Sequence, residues 1–66
     1  MTKTGKHPTA EELELIRKEA QKPEPFKRGQ VTACGKLVHA IALRHGLPAI
    51  DGLYVLDQDG EFARPT

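Results

Sequence analysis

Residues 29–48 read GQVTACGKLVHAIALRHGLP, and this stretch decides the fold because it specifies one complete helix with a start, an apolar face and a stop. At about a hundred degrees per residue, Val31, Cys34, Leu37, Val38, Ile41 and Ala42 fall on one stripe, while Thr32, Lys36 and His39 face away. The spacing predicts a helix that opens at Gly29 or Gln30 and stops at Gly46. There a glycine can take the left-handed C′ conformation, Leu47 can fold back onto Ile41 or Ala42, and Pro48 blocks continuation. Gly35, in the helix interior, costs about 1 kcal/mol against Ala, and is read as a place of close backbone approach by another helix or a second copy.

A second helix is expected upstream. Thr9 and Glu12 form a Thr-x-x-Glu capping box. Glu11, Glu12 and Glu14 near the start and Arg17, Lys18 and Lys22 near the end suit the helix dipole, and Glu14 and Lys18 make an i,i+4 pair. Leu13, Ile16 and Ala20 are the expected buried stripe. Pro23 and Pro25 end this helix, and Phe26 is expected to plug the core between the two helices. Residues 1–8 have no apolar periodicity and are expected to be a flexible arm, leaving residues 9–66 as the single domain.

Downstream the pattern changes to strands. Leu53-Tyr54-Val55-Leu56 is rich in strand formers, and Asp57-Gln58-Asp59-Gly60 fits a type I turn with Gly60 left-handed. This register sets Leu56 opposite Phe62 and Val55 opposite Ala63. The expected fold class is therefore α+β, two helices followed by a C-terminal β-hairpin. A lone hairpin is marginal in water, so this one must pack on the helices or pair with another edge.

Composition sets further bounds. Leu, Ile, Val and Phe supply 15 of 66 residues, so a protomer can build only a thin core. Cys34 is the single cysteine, which removes an intrachain disulfide, and no Cys/His group has structural zinc spacing. Oligomerisation, most simply a homodimer, is the expected source of extra buried area. A lone cysteine on an apolar stripe, and polar residues after Met1, fit a cytoplasmic protein, and no apolar run is long enough for a membrane span.

Candidate chemical motifs are weak. Gly29 to Lys36 has one residue too many for a phosphate-binding loop, and Leu37 stands where the hydroxyl belongs. Placing Gly60 in a calcium loop puts Val55 and Thr66 at ligand positions they cannot fill. Cys34 and His39 project to nearly opposite sides of their helix, His45 reads as a C-terminal capping residue, and the chain contains no serine. An enzyme, a cofactor and a metal are therefore not expected.

Formal net charge is +1, with residues 20–48 basic and residues 49–66 acidic. Lys27, Arg28, Gln30, Thr32, Lys36 and His39 could form a nucleic-acid surface, the basis of an alternative reading as a DNA-binding transcriptional regulator. The leading expectation rests on apolar surplus instead. Leu15 and Leu43 lie off their stripes, and with Tyr54, Leu56 and Phe62 of a two-faced hairpin they are the expected dimer or partner surface. The expected function is a small non-enzymatic regulator, of bacterial or phage type, that inhibits or redirects a target protein.

Overall fold

The computed structural model describes residues 1–22 and 32–65. Five elements follow one another: β1 (Thr2–Lys3), α1 (Ala10–Gln21), α2 (Ala33–Arg44), β2 (Val55–Leu56) and β3 (Phe62–Arg64). The strands form one antiparallel sheet in the order β1-β3-β2.

Local signals place α1. Thr9 is its N-cap, the Thr9 hydroxyl accepts from the Glu12 amide, and the Glu12 carboxylate accepts from the Thr9 amide at 2.8 Å, so the capping box is complete. Ile16 is buried and Leu13 half-buried, but Ala20 is exposed, and the partly covered positions are Glu12 and Glu19. The inward face is thus rotated toward the 12–16–19 row. Glu14 meets Arg17 at 3.9 Å rather than Lys18, an i,i+3 contact in place of the expected i,i+4 one.

Helix α2 starts later than the periodicity alone suggests. Thr32 adopts extended backbone angles and its hydroxyl accepts from the Gly35 amide at 3.1 Å, so it caps the helix instead of lying within it. The threonine side chain there satisfies an N–H of the first turn that has no partner within the helix. Val38, Ile41 and Ala42 are buried and Cys34 and Leu37 half-buried, as the stripe requires. The expectations for Pro23, Pro25, Phe26, Lys27, Arg28, Gly29, Gln30 and Val31 lie outside the described residues.

The stop at Gly46 is the expected one. Its φ is +84°, the Gly46 amide donates to the Leu43 carbonyl at 3.1 Å, and the Leu47 amide donates to the Ala42 carbonyl at 3.4 Å, which is a Schellman closure. Leu47 packs against the core behind it. A Cβ at Gly46 would meet nothing within 4 Å, so any penalty there is backbone strain alone. Gly46→Val is expected to cost about 1–2 kcal/mol and Gly46→Asn distinctly less, because asparagine tolerates the left-handed region. Thermal melts of the two variants check the order.

The hairpin keeps its predicted register, Val55 opposite Ala63 and Leu56 opposite Phe62, although Leu53 and Tyr54 precede the ladder. Gly60 sits at φ +78° and its amide donates to the Asp57 carbonyl, closing the turn. The segment 1–8 departs most from expectation. It is not an arm outside the domain: Thr2 pairs with Arg64 and Lys3 with Ala63, making β3 the central strand. Pro8 is buried, and the Phe62 amide donates to the Lys6 carbonyl at 2.9 Å. Ile16, Val38, Ile41, Ala42, Tyr54 and Phe62 form the core between helices and sheet.

Candidate functional site

The residues singled out from sequence separate into two groups. Tyr54 and Phe62 are 1 % and 0 % exposed, so neither has surface left to offer a partner, and Leu56 is half-buried against the same core. The expected interface residues of the hairpin are core residues instead, because the sheet lies on the helices with that face inward. Leu15 and Leu43 behave otherwise: they remain 54 % and 40 % exposed on α1 and α2.

The proposed nucleic-acid face is reduced in a similar way. Of its members, Lys27, Arg28 and Gln30 lie outside the described residues, the Thr32 hydroxyl is engaged as a cap, and Lys36 is exposed. His39 turns toward the sheet, where Nδ1 accepts from the Tyr54 amide at 3.1 Å and the ring stacks on Tyr54 at 5.6 Å between centroids. An N–H donor at Nδ1 requires that nitrogen to be unprotonated, so the ring carries its proton on Nε2. The Tyr54 hydroxyl donates to the Pro48 carbonyl.

A second polar junction joins the two helices. His45 is the C-cap of α2, and its Nε2 lies 2.6 Å from Glu12 Oε1, the oxygen that also accepts from the Thr9 amide. The His45 ring tilts over Phe62 at 5.6 Å. One carboxylate therefore completes the start of α1 and holds the end of α2. Cys34, expected on the buried apolar face, is half-buried and directs its sulfur toward the Ile16 carbonyl at 3.8 Å.

The third cluster lies at the β2–β3 turn. Asp57 Oδ1 accepts from the amides of Asp59 and Glu61, both at 2.9 Å, while Lys3 Nζ sits 2.6 Å from Asp59 Oδ2 and 3.5 Å from Asp57 Oδ2. Glu61 Oε2 accepts from the Gly5 amide at 3.0 Å, and His7 Nε2 is 3.6 Å from Glu61 Oε1. A shallow cleft of about 320 Å³ opens beside Lys3, Asp57 and Asp59. Lys3 lies between the two aspartates. Among the described residues no three His, Cys, Asp or Glu side chains converge as a metal site would need, and no helix is long and apolar enough to cross a membrane.

The electrostatics of both junctions are stabilising. The Thr9 backbone N–H and then His45 hold the Glu12 carboxyl below its ordinary pKa, and the Glu61 backbone N–H, with those of Asp59 and the Lys3 charge behind it, does the same for Asp57 against the opposing effect of burial. Asp59 and Asp57 raise the Lys3 pKa. A carboxyl depressed in the folded state contributes stability above the unfolded pKa and loses it as pH falls through the folded one; a raised lysine contributes below its unfolded pKa and loses it on the alkaline side. Glu12→Gln preserves an acceptor for the Thr9 amide, so it removes the charge alone. Its melting temperature is expected to lie below wild type at about pH 7 and to converge with it at about pH 2, where ordinary carboxylates are protonated. A difference that does not change with pH would mean the charge contributes nothing.

Comparison with protein families, with curated proteins and with solved structures finds no match for this chain.

Proposed function

We propose that the chain is a non-enzymatic regulator that works by binding a target protein, with Leu15 of α1 and Leu43 of α2 as contact residues. The observation that carries this reading is the exposure of these two leucines, 54 % and 40 %, in a domain whose other described Leu, Ile, Val, Phe and Tyr side chains are buried or half-buried. Their helices are capped and packed, so the leucines stand on rigid elements and lose little entropy on binding. The polar side chains that could serve chemistry support the same reading, because Glu12, His39, His45 and Tyr54 are engaged in a helix cap and in hydrogen bonds that tie helix to helix and helix to loop.

Fully burying an exposed leucine is worth about 1.5–3 kcal/mol, so covering the half that is still exposed here is worth about 0.7–1.5 kcal/mol, roughly 3- to 10-fold in affinity. Leu15→Glu and Leu43→Glu, which also set an unpaired charge in the contact, should therefore each weaken capture of a partner by about tenfold while leaving the melting temperature close to wild type. The experiment compares proteins retained from source-cell extract by the immobilised wild type, the two leucine variants and Lys36→Glu. Proteins lost with both leucine variants and kept with Lys36→Glu support the assignment. Equal retention by all four overturns it.

A further inference from the structure

We infer that residues 2–6 are an exchangeable strand, and that the edge of β3 they occupy also accepts the same segment from a second copy of this chain. The segment makes a dense set of contacts with one short receiving stretch. Thr2 and Lys3 pair with Arg64 and Ala63; the Thr4 amide and hydroxyl both donate to the Phe62 carbonyl, at 3.1 and 2.7 Å; and the Phe62 amide donates to the Lys6 carbonyl. The Gly5 amide donates to Glu61, and the Lys3 ammonium lies against Asp59 and Asp57. Positive charge is on the segment and carboxylates are on the turn.

All of these partners fall within residues 57–64. The contact set is therefore complete wherever residues 57–64 are presented, whichever copy supplies the strand, and reciprocal exchange replaces each bond by an identical one under two-fold symmetry. The strand is also the part of the sheet that detaches most readily. Its ladder is two residues long, and the Lys3 and Asp59 side chains are 55 % and 69 % exposed, where ion pairs contribute little. Local opening of such a segment needs far less than unfolding the core. Once open, β3 presents the unpaired Phe62 amide and carbonyl as a strand edge, a template for another extended segment. The occupant is a second copy because its residues 2–6 carry the lysine, the threonine hydroxyl and the Thr4 and Gly5 amides in the register this edge already holds. The exchange uses neither Leu15 nor Leu43 and stands or falls independently of them.

Complementary charge reversal tests it in the full chain. In Lys3→Glu the strand faces Asp57 and Asp59 with the wrong sign, and in Asp59→Lys the edge repels Lys3. Mixing the two lets the wild-type strand of one reach the wild-type edge of the other, and sets Glu against Lys on the second edge. Because an attached strand competes at an effective concentration on the order of millimolar, the variants are mixed at about 1 mM. Each variant alone should run at the mass of one protomer by light scattering, and the mixture at twice that mass with one copy of each. Folded variants that stay at one-protomer mass when mixed overturn the inference. Should either variant fail to fold, amide exchange of the wild type decides: Thr4 and Phe62 should exchange at least about tenfold faster than Ile41. Equal rates would mean that the strand leaves only with global unfolding, and the inference fails.

Discussion

Phe62→Ala is expected to remove about 3–5 kcal/mol of stability, the usual cost of truncating a fully buried aromatic ring. The ring is 0 % exposed, lies under His45 and belongs to the strand that holds β1 on one side and β2 on the other. A chain of 66 residues has a total stability on the order of 3–10 kcal/mol, so the loss is a large share of it. Thermal unfolding followed by circular dichroism should show the midpoint falling by more than about 15 °C, or no cooperative transition at all. A midpoint within about 5 °C of wild type would show that the ring is not the centre of the core.

Tyr54 separates packing from polar contributions at one position. Its side chain is 1 % exposed, its hydroxyl donates to the Pro48 carbonyl, and its ring stacks on His39. Tyr54→Phe keeps ring and stack and gives up one hydrogen bond, an expected loss of about 1 kcal/mol. Tyr54→Ala also empties the ring's volume, and should lose about 3–5 kcal/mol. Urea unfolding of the pair gives both numbers. Equal losses would place the whole effect in the hydroxyl and contradict the packing described.

These two residues also show where sequence reading stops. Both were expected at an interface because a two-faced ribbon needs cover, and that need is real. Alternation along a strand does not say which cover is used, and here the protomer's own helices supply it. The histidines repeat the lesson. His45 could be recognised as a helix cap from its place before Gly46, yet its bond to Glu12 spans 33 residues, and His39 reaches Tyr54 across 15. Angular projection places a side chain around its own helix axis and carries nothing about what packs beside it.

Determined by sequence alone were the devices whose partners are near in the chain: the Thr9–Glu12 box, the apolar row Val38, Ile41 and Ala42, the left-handed stop at Gly46, and the hairpin register about Gly60. Each works through backbone groups within a few residues, so residue type and spacing specify it. The tertiary structure alone decided that residues 2–3 become a strand, that Lys3 lies against Asp57 and Asp59, and that one glutamate ties the start of α1 to the end of α2. Two residues are too few to display a period of two. Their pairing is set by carboxylates and a free strand edge more than fifty positions away, which come within reach only once the chain has folded.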